Sequence, residues 1–119
     1  MVAKIERFED IQAWQKSKQL NKQVYRLFAS NKNYSFRDQI QRAVTSIMNN
    51  IAEGFERQTN KEFKQFLYIA KGSAGETRSM LYLAEELDYI DCNEAKGLIK
   101  DCCEISKMLS GFIKTLWTL

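Results

Sequence analysis

No proline occurs in this chain, and glycine occurs only five times. Those two residues punctuate a backbone, and a β-rich domain of this length needs turn residues every ~8–12 positions. They are missing, so long uninterrupted helices joined by short polar links are what this chain can form. The expected fold class is all-α. At 119 residues the chain is expected to make one domain, 1–119, large enough to bury about two-thirds of its unfolded surface. Its 45% apolar and 28% charged residues suit a packed core under a wet exterior.

Histidine is absent as well, which removes imidazole acid–base chemistry, most zinc sites and the usual catalytic triads. There is no nucleophile motif and no glycine-rich phosphate loop. The expectation is a protein that is not an enzyme and takes no cofactor or metal. No apolar run reaches the ~18 residues a membrane span needs, and Met1-Val2-Ala3-Lys4-Ile5-Glu6-Arg7 is charged, without a signal-peptide segment. A cytoplasmic protein without a membrane partner is expected. Cys92, Cys102 and Cys103 fit a reducing compartment, since an odd count with two adjacent residues makes a poor disulfide framework. Cys92 falls where a helix dipole favours a thiolate, and Cys102 reads as a small buried residue.

Four apolar patterns repeat at helical spacing. Helix 1 is expected over 10–30, with Asp10 as N-cap and Leu20, Val24, Leu27 and Phe28 as its stripe, bordered by Trp14 and Tyr25. Helix 2 is expected over 36–57, where Phe36, Ile40, Val44, Ile47, Ile51 and Phe55 recur at threes and fours and Gly54 loosens the end. Thr59 and Glu62 form a capping box that opens helix 3, expected over 60–89 with a stripe from Phe63 and Leu67 through Leu81 to Leu87. Asp91 and Glu94 repeat that logic before helix 4, expected over 93–117. There Leu98, Cys102, Ile105, Leu109, Phe112 and Leu116 are spaced 4-3-4-3-4, a bundle seam. All three connections are short, which makes consecutive helices antiparallel neighbours. The expected architecture is an up-down-up-down four-helix bundle.

Three groups of residues, taken in order, carry a family resemblance. They are Phe8-Glu9-Asp10-Ile11 with Trp14-Gln15-Lys16; Arg42-Ala43, Ser46-Ile47 and Asn50-Ile51-Ala52-Glu53-Gly54; and Lys61-Glu62-Phe63, Phe66-Leu67, Ile69-Ala70, Gly72-Ser73 and Glu76. Over nearly its whole length the chain resembles the four-helix-bundle family first noticed as proteins encoded by intervening sequences within bacterial 23S ribosomal RNA genes. Met48 stands where many relatives have proline, so a continuous second helix is expected rather than a kinked one. The resemblance implies small homo-oligomers, recurrently pentameric barrels. It also takes in the basic accessory proteins of diversity-generating retroelements, which bind nucleic acid and a reverse transcriptase. It implies no reaction.

Read residue by residue, the polar face of helix 2 is the first candidate site. Arg42, Ser46, Asn49, Asn50 and Glu53 share roughly a 100° sector opposite Ile47 and Ile51. Short amides and hydroxyls hydrogen-bond well in a dry setting, which suits a homo-oligomer interface; the plainer reading is a solvated face ending in an Asn/Glu/Gly cluster. Gly72 and Gly75 interrupt helix 3 at about 1 kcal/mol each relative to alanine, which points to a close helix crossing within or between subunits. Lys18, Lys22 and Arg26 form a basic stripe on helix 1, with no acid between Asp10 and Asp38. Such a stripe can track RNA or DNA phosphates, but lysines on a bundle exterior are commonly just solvated, and the chain's net charge is only +3. Glu85, Glu86 and Asp88 crowd a helix end whose dipole prefers cations, as a partner surface or a screened acidic cluster. Glu53 and Glu76 are the remaining candidates for an acid–base pair. The functional expectation is a self-assembling scaffold, with a nucleic-acid-binding accessory protein as the alternative.

Overall fold

The computed structural model describes residues 5–117; residues 1–4, read above for a leader segment, lie outside that range. A 3-10 turn, Phe8–Asp10, precedes four helices: α1 (Gln12–Phe28), α2 (Tyr34–Phe55), α3 (Asn60–Glu86) and α4 (Cys92–Trp117). There is no strand among the described residues. Each helix packs on its neighbours in sequence, and α1 meets α4 to close the bundle. The result is a rod of 46 × 22 × 19 Å. No helix among the described residues is long and apolar enough to cross a membrane.

The ends of the helices follow local chemistry. Asn33 Oδ1 accepts the Phe36 amide at 3.1 Å and starts α2 two residues before the apolar pattern does. Thr59 Oγ1 accepts the Glu62 amide at 3.1 Å and donates to that residue's carboxylate at 3.2 Å, so this box closes side chain to side chain. The box before α4 is reciprocal: Asp91 Oδ1 accepts the Glu94 amide at 2.7 Å, and Glu94 Oε1 accepts the Asp91 amide at 2.9 Å.

Three expectations are corrected here. Asp10 is not the N-cap of α1. It ends the 3-10 turn, and Ile11 takes the cap position without a side-chain bond, because that residue is 2% exposed and is needed in the core. Leu87 is not in the core stripe but 46% exposed, since α3 stops at Glu86. There Asp88 turns left-handed, φ 59°, and the Tyr89 amide reaches back to the Ala84 carbonyl at 2.9 Å; aspartate tolerates that conformation better than most residues. Gly54 does not loosen α2. A Cβ there would sit 2.6 Å from Phe66 Cβ and 2.9 Å from Phe63 Cδ1, so the missing side chain lets α3 pack tightly against α2 here. Helix α2 itself runs unbroken through Met48.

The core keeps most of the predicted stripes and adds Ile11, Ala13, Met80, Ile90, Ala95 and Ile113, while Leu27, Phe55 and Phe112 are only partly buried against it. Polar groups lock it in register. Asn21, 7% exposed, donates through Nδ2 to the Ser17 and Val44 carbonyls at 2.9 Å each, and Thr45 Oγ1 reaches its Oδ1 at 3.0 Å. That arrangement satisfies a buried amide and ties α1 to α2 at one level. No buried side-chain polar atom among the described residues lacks a partner.

Candidate functional site

The polar face of α2 divides into two parts. Ser46 and Asn50 are spent inside the subunit: Ser46 Oγ lies 2.8 Å from Ser73 Oγ of α3, and Asn50 Nδ2 donates to Ser46 O and Oγ at 2.8 and 2.9 Å. Thr77 Oγ1 extends the chain to the Ser73 carbonyl at 2.9 Å. These groups clip α2 to α3. Arg42 and Asn49 instead point to solvent, and Glu53 is held by Arg57 one turn on, at 3.0 Å.

Beside the clip opens a cleft of about 560 Å³ between α2 and α3, lined by Arg42, Ser46, Ser73 and Glu76 among others. Arg42 and Glu76 close no salt bridge among the described residues, although both line this cleft. Glu53 does not line it, so the two carboxylates considered for acid–base work do not meet across one cavity.

The glycines of α3 lie elsewhere than a crossing within the chain requires. Gly72 and Gly75 are exposed, and a Cβ at either position would meet nothing within 4 Å. Ser73 and Ala74 between them face inward, which turns both glycines outward. They share that side of α3 with exposed Tyr68, Ile69, Tyr82 and Leu83.

Lys18, Lys22 and Arg26 are all exposed on α1. Trp14 is half-buried, packs edge-on against Phe8 at 5.2 Å and carries Lys18 Nζ over its ring at 5.5 Å, so its faces are already used. Arg26 edges a groove of about 810 Å³ between α1 and α4, crossed by Lys16, which reaches Glu104 at 2.7 Å and Asp101 at 3.6 Å. The bond from Lys16 holds the Glu104 carboxyl below its ordinary range, and the lysine is raised in return.

A second basic surface escaped the sequence reading. On α4, Lys96, Lys100, Lys107 and Lys114 are exposed; the acids between them, Asp101 and Glu104, pair with Lys16 in the α1–α4 groove, whose rim Lys100 shares. Across the seam, Arg78 of α3 donates to Cys103 Sγ at 3.3 Å, and Lys71 sits two turns before it on the same side. The single acid of α3 between Glu62 and Glu85, Glu76, opens onto the α2 cleft instead. Residues 59–119 carry eight Lys/Arg and nine Asp/Glu, a near balance in which this sorting is invisible. The seven-residue spacing of Lys71 and Arg78, and of Lys100, Lys107 and Lys114, was the available signal.

The cysteines are unpaired. Burial pushes the Cys102 thiol up to about 12, while Cys92 is exposed at the start of α4. No group of three or more His, Cys, Asp or Glu among the described residues could hold a metal ion.

The chain is similar to a solved structure described as a protein with unknown function from the S23 ribosomal protein family of Bacteroides thetaiotaomicron. The two are 30% identical with a TM-score of 0.80, covering 86% of this chain and 98% of that one. No curated protein matches it. The family model for the 23S rRNA-intervening sequence protein matches residues 9–111. With that match over most of its length and the four-helix bundle in place, this chain belongs to the 23S rRNA-intervening sequence protein family.

Proposed function

We propose that the protein acts as a non-enzymatic, self-assembling scaffold in the cytoplasm, its chains meeting through the outward faces of α2 and α3. The observation that carries this reading is where the large exposed apolar side chains lie. Of the seven among the described residues, five (Tyr68, Ile69, Tyr82, Leu83 and Leu87) belong to α3 or its C-cap. A patch of that kind, rimmed by polar groups, marks a protein-interaction surface. It is continuous with the α2 cleft, where Arg42 and Glu76 offer an unpaired cation and anion to a neighbouring copy. The family resemblance implies a ring of five. Light scattering coupled to size exclusion tests the reading: a mass several times the 13.9 kDa chain is expected, falling in an Ile69→Glu/Leu83→Glu variant that keeps its helicity. A monodisperse monomer at micromolar concentration sinks it.

A second reading, a nucleic-acid-binding accessory protein that could act with a reverse transcriptase, is favoured by the basic α3/α4 flank. Cations gathered on one side bind phosphates by displacing counterions, so binding weakens steeply with salt. Lys107→Glu/Lys114→Glu and Lys18→Glu/Lys22→Glu/Arg26→Glu separate this flank from the α1 stripe. RNA or DNA retained at low salt and lost in one variant assigns the surface; no retention at low salt removes the reading.

A further inference from the structure

The exposed apolar residues of α3 fall on two different edges of the helix. At about 100° per residue, Ile69 and Leu83 lie within roughly 40° of each other and of Glu76, which opens onto the α2 cleft. Tyr68 and Tyr82, 53% and 52% exposed, fall instead in a sector of roughly 80° that also holds Lys71 and Arg78. Arg78 marks that sector as the α4 side, because it donates to Cys103 Sγ at 3.3 Å. On α4, Lys96, Lys107 and Lys114 lie within roughly 40° of Cys103, and all three are exposed. No salt bridge among the described residues holds any of these cations. The acids lie off the flank or at its end: Asp101 and Glu104 pair with Lys16, and Glu86 is the last residue of α3.

From this arrangement we propose that the α3/α4 flank binds single-stranded nucleic acid, with Tyr68 and Tyr82 as stacking platforms for bases and Lys71, Arg78, Lys107 and Lys114 as phosphate contacts. Tyr68 and Lys71 are three positions apart and Arg78 and Tyr82 four, so each ring has a cation beside it on the helix surface. A single strand offers the same alternation, bases free to stack on a ring and phosphates between them. The tyrosines are fourteen positions apart, about 21 Å along the helix axis, which leaves room for several nucleotides. Lys107 and Lys114, on the antiparallel neighbour, lie beside the Tyr68 half of that stretch. The bond to Cys103 holds the Arg78 guanidinium at the seam and fixes a cation between the two rings. A duplex carries phosphates at higher density, so cations alone favour it. Its bases are already stacked on one another, so exposed rings gain nothing from it. The inference rests on the nucleic-acid reading and adds the strand type and the residues that hold bases. It leaves Ile69, Leu83 and the α2 side to self-assembly.

Fluorescence anisotropy with labelled oligo(U) and oligo(dT) of about 20 nucleotides, and with a duplex of the same length, tests it. At low salt the better-bound single strand is expected to bind roughly tenfold tighter than the duplex. Tyr68→Ala/Tyr82→Ala is expected to weaken single-strand binding by roughly tenfold with the salt slope unchanged, whereas Tyr68→Phe/Tyr82→Phe keeps it. Lys107→Glu/Lys114→Glu is expected to lower both affinity and salt slope. Both tyrosines are exposed, so the alanine variant is expected to keep its helicity and its native mass. Binding of either single strand in this pattern supports the proposal, and the ratio of the two affinities says which sugar the site takes. A duplex bound as tightly as the single strands, or an alanine variant that binds like the parent, overturns base stacking and leaves the nucleic-acid reading standing. A native mass that falls in the alanine variant gives the tyrosines to self-assembly and overturns it too. No binding of any probe at low salt overturns both.

Discussion

Two glycines that look alike in the sequence behave oppositely because of what surrounds them. At Gly54 a methyl group would meet Phe66 and Phe63, while at Gly111 it would meet nothing. Gly54→Ala is expected to destabilise the protein by about 1–3 kcal/mol through overpacking of the α2–α3 contact. Gly111→Ala is expected to stabilise it by up to about 1 kcal/mol through helix propensity alone; urea titration of both reads the contrast. Glu104 gives a pH prediction. Its carboxyl titrates below the ordinary glutamate value in the folded state because Lys16 donates to it, so the pair's contribution is present above that ordinary value and fades as pH falls through the depressed one. Glu104→Gln should lower the melting temperature near neutrality and leave it unchanged at strongly acid pH. Cys102 runs the other way: its raised thiol favours the folded state below the ordinary thiol range, an advantage lost as pH rises toward about 12.

At the scale of elements, helical periodicity located all four helices and most of the core residues, because a 3.6-residue repeat leaves a trace in the sequence whenever one face is buried. The capping boxes at Thr59 and Asp91 were equally legible, since both partners lie within one turn. The start of α1 was not: Asp10 has the right chemistry for a cap, but burial of Ile11 shifts the helix onward. Asn21 also escaped, because its role depends on Val44 and Thr45 across the α1–α2 interface. Asn21→Ala is expected to cost about 1–3 kcal/mol by leaving buried polar groups unpaired, measured by thermal or chemical unfolding.

For the whole molecule, what matters is which faces remain uncovered once the bundle closes. If chains self-assemble as proposed, stability is linked to concentration, and the melting temperature should climb as protein is raised from about 1 to about 100 μM; a constant value counts against assembly. Of the residues read as a candidate interface, Arg42 and Asn49 are exposed, whereas Ser46 and Asn50 are consumed by the clip to Ser73, a partnership that depends on how α3 packs and so left no trace in the spacing. The sequence by itself determined the fold class, the four helices, their antiparallel order and the core stripes, because those follow from composition, local caps and one-dimensional periodicity. Only the tertiary structure decided which glycine is crowded and that α3 keeps an open apolar face. It also set Lys107 and Lys114 of α4 on the side of Arg78 and Lys71, while Asp101 and Glu104 pair with Lys16 of α1. Those properties depend on the rotation of each helix about its own axis relative to its neighbours, which no single helix encodes.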